Sequence, residues 1–113
     1  AVQQVIEGAD VVCCTSVGAG AGLLMDYTFP RVLVDEASQA TEPATLVPVC
    51  RGAQRLVLVG DHCQLPPTVS SDAAARAGLA RSLFERLMNA GLTSVLLSTQ
   101  YRMHPGISAF PSA

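Results

Sequence analysis

Two adjacent carboxylates, Asp35 and Glu36, directly follow a short apolar run and are well suited to chemistry. The run Val32–Val34 is rich in β-branched residues, which predicts a buried strand of a mostly parallel sheet. Open α/β sheets bind their ligands at the carboxyl ends of such strands. One carboxylate can hold a metal ion while its neighbour takes a proton from water, so the pair suits phosphoryl chemistry. A strand that runs into a solvated acidic turn would give the same pattern.

Two further polar clusters follow predicted strands. Arg55–Val59 is an apolar run that ends in the polar loop Gly60–Val69, and Gln100–His104 follows a predicted short strand at Thr93–Leu97. A parallel sheet places the carboxyl ends of its strands along one edge. We therefore expect the loop after Val59 and the acidic pair to share a site.

The elements that must position these clusters alternate between strand and helix. A further strand is predicted at Val11–Thr15, where five apolar or β-branched residues follow Asp10. Helical spacing of apolar residues predicts helices at Ala1–Ala9, from Pro43 to Val49, at Asp72–Gly78 and at Ser82–Ala90. Pro48 lies inside the second of these, which we expect to be short or kinked. Alternation of this kind indicates an α/β layered sheet.

Composition limits the class of protein more than it limits the function. Half of the 113 residues are apolar and 14% are charged, which excludes a disordered chain. A formal net charge of −2 gives no basic footprint from which nucleic-acid binding could be inferred. The four cysteines lack paired C-x-x-C spacing, so we expect buried, reduced thiols rather than a zinc site. No apolar run reaches the roughly 18 residues that a membrane span needs.

A glycine-rich segment, Ser16–Gly22, follows the first predicted strand. It lacks the Gly-Lys-Ser/Thr ending of a phosphate-binding P-loop. Its backbone amides, with the hydroxyls of Thr15 and Ser16, could still hold a nucleic-acid phosphate. A plain flexible loop fits these residues equally well.

Three motifs, in this order, resemble ATPase motifs of superfamily 1 helicases: Val-Asp-Glu-Ala-Ser-Gln-Ala-Thr-Glu-Pro, Gly-Asp-His-Cys-Gln-Leu-Pro-Pro and Gln-Tyr-Arg-Met-His-Pro. The chain looks closest to the nonsense-mediated-decay RNA helicase subgroup, which moves 5′ to 3′ on single strands. The resemblance implies an α/β, RecA-like P-loop NTPase layered fold with a mostly parallel sheet, present here as an incomplete fragment. Residues 1–98 would be the latter part of the first RecA-like core domain, and residues 99–113 the start of the second.

The resemblance also implies roles for individual residues in ATP hydrolysis. Asp35 resembles the aspartate that holds Mg²⁺, and Glu36 resembles the base that orients and deprotonates the attacking water. Gln64 resembles the glutamine that senses the γ-phosphate and links it to the nucleic-acid groove. Arg102 resembles an arginine of the second core domain that stabilises charge on the transferred phosphoryl group, and Tyr101 resembles the aromatic residue stacked on adenine.

Other polar residues of the motifs have supporting roles in the same interpretation. The nucleic-acid backbone would be contacted by Thr15, Ser16, Val17 and Gly18. Gln39, Asp61 and Gln100 are expected to shape the loops. Since Glu36 already supplies a base, His62 and His104 are expected to make structural hydrogen bonds.

The function implied is that of an ATP-dependent helicase or translocase, with ATP and Mg²⁺ as cofactors and single-stranded RNA as the partner. The subgroup further implies a cytoplasmic location and messenger-RNA surveillance factors that bind outside these residues, with no membrane partner. The phosphate-gripping loop is expected upstream of Ala1 and the later motifs beyond Ala113, so the isolated segment should not hydrolyse ATP. Two alternatives stay open: a DNA helicase of the same superfamily, and a non-catalytic nucleic-acid-binding scaffold.

Overall fold

A computed structural model describes residues 1–110 of the chain. Within that part, strands β1 (Arg31–Val34) and β2 (Arg55–Leu58) form a two-stranded parallel sheet. Their register pairs Leu33 with Val57 and Val34 with Leu58. Helix α2 (Glu42–Val49) connects the two strands along the chain, so the predicted α/β class with parallel strands is confirmed.

The sequence accounts for the limits of α2. The helix begins after Thr41, and Pro43 lies in the first turn, where a missing N–H removes no helical hydrogen bond. Pro48 lies inside the helix, which ends one residue later at Val49. The helix is therefore short, as the two prolines predict.

The other helices are short as well. They are α1 (Val2–Glu7), α3 (Asp72–Ala74, continued by a π-helical turn at Ala75–Leu79), α4 (Leu83–Asn89) and α5 (Pro105–Ser108), with 3₁₀ turns at Gly18–Gly20 and Gly22–Leu24. The predicted helix around α4 is confirmed: Ser82 Oγ accepts a hydrogen bond from Glu85 N at 3.1 Å. Gly91, with φ of 86°, follows its end. No helix among residues 1–110 is long and apolar enough to cross a membrane.

Helix α2 forms the centre of a small core. It contacts β1, α4 and the 3₁₀ turn Gly18–Gly20. The buried residues are Ala19, Leu24, Val34, Ala37, Pro67 and Leu83, with Ser38, Thr45 and Ser82 as buried polar residues. Of the apolar face predicted for α4, only Leu83 is fully buried, whereas Phe84, Leu87 and Met88 are half-buried.

An ion pair joins α4 to α2. Arg86 donates through Nε and Nη2 to the two carboxylate oxygens of Glu42, at 2.8 and 2.7 Å. The hydrogen bond from Arg86 holds the pKa of the Glu42 carboxyl below its ordinary value. A two-point contact of this kind fixes orientation as well as distance, so it aligns α4 with the start of α2.

A second arginine holds the segment that leads into β1. The Arg51 guanidinium donates to the carbonyl oxygens of Leu24, Met25 and Tyr27. The Arg51 carbonyl in turn accepts from Phe29 N at 2.8 Å. The chain before β1 is thus fixed by hydrogen bonds to Arg51, two residues beyond the end of α2.

Two predicted strands are wrong for this structure. Val11–Thr15 and Thr93–Leu97 form no strand, and Val11 and Val95 are highly exposed. A strand depends on a hydrogen-bonded neighbour, and within residues 1–110 neither segment has one. Burial of the cysteines is also wrong, since Cys13, Cys14, Cys50 and Cys63 are all free and exposed.

Candidate functional site

The acidic pair lies directly after β1, at the carboxyl end of the sheet. Asp35 Oδ1 accepts a hydrogen bond from Glu36 N at 3.0 Å, and Glu36 Oε2 accepts from Gln39 Nε2 at 3.1 Å. Asp35 Oδ2 and Glu36 Oε1 have no hydrogen-bond partner among residues 1–110. Each exposed carboxylate therefore keeps one oxygen for a ligand, and Gln39 shapes the loop as expected.

Glu36 adopts a backbone conformation that is unusual for its side chain. Its φ is 51°, in the left-handed region, and within residues 1–110 it is the only residue other than glycine with positive φ. The left-handed conformation costs an L-residue about 1–2 kcal/mol. The Glu36 carbonyl accepts from Gln39 N at 2.9 Å, and Ala37 N donates to Val59 O at 2.8 Å. The surrounding hydrogen bonds thus hold Glu36 in a strained conformation of the kind that clusters at functional sites.

The loops after β1 and β2 are joined through Ser38. The buried Ser38 Oγ accepts a hydrogen bond from Asp61 N at 3.2 Å. A Cβ atom added to Gly60 would lie 2.9 Å from Ser38 N, so only glycine fits this close approach of the two backbones. The expected meeting of the two polar loops at one edge of the sheet is confirmed.

Within the second loop, Asp61 organises Gln64. Asp61 Oδ2 accepts from Gln64 Nε2 at 3.0 Å, and Oδ1 accepts from Cys63 N at 2.9 Å. These bonds, that from Gln64 foremost, hold the pKa of the Asp61 carboxyl below its usual range. The expected loop-shaping role of Asp61 is thus borne out by its contacts. The Gln64 side chain is held within its own loop and does not hydrogen-bond Glu36.

The third cluster is organised by Gln100 and His104. Gln100 Nε2 donates to Met103 O at 2.9 Å, and Gln100 Oε1 accepts from Met103 N at 2.7 Å. His104 Nδ1 accepts from Gly106 N at 3.2 Å and caps α5. The loop-shaping role of Gln100 and the structural role of His104 agree with these contacts.

The side chains of Tyr101 and Arg102 in that loop make no hydrogen bond with the rest of residues 1–110. Tyr101 is 92% exposed, and Arg102 is exposed too. No hydrogen bond or ion pair within residues 1–110 joins either residue to the loops after β1 and β2. The structure therefore joins the loops that carry Asp35, Glu36 and Gln64 and leaves the loop of Tyr101 and Arg102 outside that contact.

The segment Thr15–Gly18 forms a tight turn. Thr15 Oγ1 accepts from Gly18 N at 3.0 Å, and Thr15 O accepts from Ala19 N at 3.0 Å. The Ser16 hydroxyl and the Val17 N–H have no hydrogen-bond partner in the described part of the chain, whereas Val17 O accepts from Gly20 N at 3.0 Å. Thr15 thus shapes the turn, and Ser16 and Val17 keep free donors for an anion.

Sequence reasoning missed three residues that hold the site together. Ser38 joins the two loops, and the pair formed by Glu42 and Arg86 fixes the helices behind them. Ser38 and Glu42 lie inside the first motif, but their partners are 23 and 44 residues away along the chain. No local pattern indicates contacts over that separation.

Comparison with known proteins identifies the family to which the chain belongs. A sequence profile described as an AAA domain matches residues 1–72, which is more than half of the chain, and a second with the same description matches residues 79–113. The chain belongs to the AAA domain family. The two matched regions of this AAA domain protein contain different polar clusters. The first region contains the loops after β1 and β2, and the second contains the Gln100–His104 loop.

Relatives of the AAA domain chain narrow the family further. It is 56% identical over 112 residues to the Regulator of nonsense transcripts 1 homolog of Drosophila melanogaster, covering 99% of this chain and 10% of that protein. It is 51% identical over 109 residues to ATP-dependent helicase NAM7 of Saccharomyces cerevisiae, covering 96% and 11%. It is 47% identical over 115 residues to Helicase sen1 of Schizosaccharomyces pombe, covering 99% and 7%.

The chain thus spans about a tenth of the length of these curated relatives. The match extends over nearly the whole chain, including all three motifs. The resemblance to superfamily 1 helicases of the nonsense-mediated-decay subgroup is confirmed.

Proposed function

We propose that this chain is part of an ATP-dependent helicase or translocase that moves 5′ to 3′ on single-stranded nucleic acid, RNA rather than DNA. The observation that carries the proposal is the hydrogen bond from Asp61 N to Ser38 Oγ, which ties the Asp35–Glu36 loop to the Gln64 loop. Such a link suits an enzyme that must couple hydrolysis to another event. Relatives named ATP-dependent helicase support the reaction class.

The finer architecture is part of the same proposal. The parallel β1–α2–β2 unit is consistent with a RecA-like P-loop NTPase fold, of which this chain would hold a part. Residues 1–98 would belong to the first core domain and residues 99–113 to the second. Residues 111–113 lie outside the described residues.

Asp35 is the residue proposed to hold Mg²⁺. Mg²⁺ in nucleotide sites keeps several waters and takes one or two carboxylates together with substrate phosphates. A single exposed carboxylate with a free Oδ2 fits that donor set, so the residues present suit the ion. When bound, Mg²⁺ neutralises charge on the phosphate oxygens.

Glu36 is the proposed general base. Its Oε2 is held by Gln39 Nε2, which orients the carboxylate, while Oε1 is free to accept a proton from water. Its backbone is held in the left-handed region, with φ of 51°.

Gln64, Arg102 and Tyr101 are the proposed nucleotide-sensing groups. The neutral amide of Gln64 can donate to a phosphate oxygen and accept from water, provided that it leaves Asp61 Oδ2. Arg102 would reach the transferred phosphoryl group when the two core domains close, and exposed Tyr101 would stack on adenine. Hydrolysis would then reach the strand groove through the Ser38–Asp61 link.

Thr15–Gly18 is the proposed contact with the nucleic-acid backbone. The free donors of Ser16 and Val17 suit a phosphate oxygen, while Thr15 keeps the turn in shape. A cytoplasmic location and binding of surveillance factors elsewhere in the intact protein are proposed from the family resemblance.

The test is Glu36→Gln in the intact protein. General bases contribute on the order of 10²–10⁴-fold, so ATP turnover should fall at least a hundredfold while ATP binding is retained. Glu7→Gln is the matched control, because Glu7 is an exposed acid with no hydrogen-bonded partner in residues 1–110. Turnover above a tenth of wild type would count against Glu36 as the base.

The substrate needs a separate measurement. Strand separation on RNA and DNA duplexes of identical sequence, with the same single-stranded overhang, compares the two nucleic acids directly. Preferential unwinding of RNA supports the proposal, and preferential unwinding of DNA favours a DNA helicase of the same superfamily. Nucleic-acid binding by the intact protein without any ATP turnover would instead indicate a scaffold.

A further inference from the structure

The loop after β2 carries a set of metal-ligating side chains that the proposed ATP hydrolysis does not use. Asp61, His62 and Cys63 are consecutive and exposed, and one ligand atom from each lies within 4.8 Å of the others. Cys63 Sγ and His62 Nε2 are 4.0 Å apart. Within residues 1–110 this is the only group of three such residues with that spacing.

The chemistry of the three ligands selects the ion. Thiolate and imidazole favour zinc over the hard cations Mg²⁺ and Ca²⁺, and a carboxylate can complete a mixed set. Zinc bonds of about 2.3 Å to sulfur and 2.0–2.1 Å to nitrogen put tetrahedral ligands about 3.6 Å apart. The observed separation of 4.0 Å needs only a small side-chain rotation to reach that value.

We propose that Asp61, His62 and Cys63 form a three-ligand site for Zn²⁺, with the fourth position left to water. The His62 ring stands beside Phe84 of α4, with the ring centroids 6.2 Å apart, so one ligand has packing support. Three protein ligands with an open position are a recognised zinc arrangement. Its ligands do not include Asp35, the residue proposed to hold Mg²⁺.

Zinc at this site acts on Gln64. Both Asp61 oxygens are already engaged, Oδ1 by Cys63 N and Oδ2 by Gln64 Nε2. Coordination through Oδ2 displaces the Gln64 amide, which is the group proposed to sense the γ-phosphate. Binding of Zn²⁺ at this site therefore regulates ATP turnover. This consequence rests on the proposed function of Gln64.

The binding test uses the intact protein, without ATP or RNA. The thiolate is the reactive form of cysteine, and a metal-bound thiolate is shielded from alkylating agents. The rate of iodoacetamide alkylation is measured at each cysteine by peptide mass spectrometry, with and without Zn²⁺. Zn²⁺ should slow alkylation of Cys63, because a thiolate bound to the metal is not available as the nucleophile. Cys13, Cys14 and Cys50 are exposed internal controls whose rates should not change.

The variant His62→Asn removes the imidazole ligand from the proposed site. It should abolish the protection of Cys63, whereas Cys50→Ser should leave that protection intact. Equal alkylation of wild-type Cys63 with and without Zn²⁺ would overturn the site, as would undiminished protection in His62→Asn.

Turnover is measured separately as the ratio of rates with and without Zn²⁺ at fixed Mg-ATP. Inhibition in wild type that is lost in His62→Asn supports regulation through this loop, and equal inhibition of both proteins contradicts it. Because the alkylation test contains no nucleotide, its outcome is independent of the helicase proposal.

Discussion

Ser38 Oγ accepts a hydrogen bond from the backbone N–H of Asp61 at 3.2 Å, and this bond joins the loops that follow the two parallel strands. Ser38 is 3% exposed, so its hydroxyl has almost no access to solvent. The contact therefore makes the two loops one unit rather than two neighbouring surfaces.

Ser38→Ala should destabilise the protein, because it leaves the Asp61 N–H without its partner. The bond is part-buried, and a typical intramolecular hydrogen bond contributes about 0.5–1.5 kcal/mol. Chemical denaturation measures this loss, and ATP turnover should fall as well, since the Gln64 loop loses its anchor. Ser94→Ala is the control, because Ser94 is exposed and has no hydrogen bond in residues 1–110. Equal stability of the two variants would contradict a structural role for Ser38.

Gly60→Ala should also separate the two loops. Here the cause is a steric clash between the added Cβ and Ser38, and not the loss of a hydrogen bond. The added Cβ would lie 2.9 Å from Ser38 N and 3.0 Å from Ser38 Oγ, and backbone cannot easily give way. Overpacking of this kind costs about 1–3 kcal/mol. Gly22→Ala is the control, since nothing lies within 4 Å of its added Cβ. Both variants are compared by denaturant midpoint, and a Gly60→Ala midpoint as high as that of Gly22→Ala would refute the close approach.

At position 36, substitution by glycine should destabilise the protein less than substitution by alanine, which is the reverse of the usual order. Glycine commonly destabilises relative to alanine, but at a φ of 51° alanine carries the left-handed strain and glycine does not. Glu36→Gly should therefore be more stable than Glu36→Ala by about 1 kcal/mol. Both variants should lack ATP turnover, because both lack the proposed base. A higher melting temperature for Glu36→Ala than for Glu36→Gly would show that the strain is absent.

The Glu42–Arg86 ion pair should make stability depend on acid pH. The hydrogen bond from Arg86 is the main cause that lowers the pKa of the Glu42 carboxyl below its ordinary 4.5, against the opposing effect of desolvation. The unfolded chain then takes up a proton at a higher pH than the folded chain does. The stabilisation is present above the ordinary pKa and is lost as the pH falls through the lowered one.

Arg86→Met should therefore lower the melting temperature at neutral pH. Below about pH 5, the melting temperature of the variant should fall less with decreasing pH than that of wild type. The measurement is the melting temperature across that range for wild type and variant. Arg76→Met is the matched control, because Arg76 is exposed and has no ion pair in the described part of the chain. Identical pH dependence of wild type and Arg86→Met would show that the pair contributes nothing.

The sheet and the meeting of its two polar loops were predictable, because two apolar runs that each end in a polar motif form neighbouring parallel strands. Arg31–Val34 and Arg55–Leu58 became strands where the pattern predicted them. Val11–Thr15 and Thr93–Leu97 have similar composition but no strand neighbour in residues 1–110. Strand propensity describes a segment, whereas a strand also needs a partner that the segment does not specify.

The contacts that fix the site were not predictable for a different reason. Ser38 and Asp61 are far apart in sequence, and neither residue type predicts which residue it contacts. The positive φ of Glu36 follows from hydrogen bonds to Gln39 and from Ala37 to Val59, rather than from any preference of glutamate. Exposure of the cysteines likewise depends on packing, because the residue type alone favours burial.

The paired hydrogen bonds between the Gln100 amide and the Met103 backbone have a consequence for Arg102. They close a small ring that contains Tyr101 and Arg102 without help from any other part of residues 1–110. Much of the conformational entropy of this turn is therefore given up on folding rather than on binding. The backbone that carries Arg102 is therefore ordered before any partner binds, whereas the exposed Arg102 side chain makes no hydrogen bond within residues 1–110.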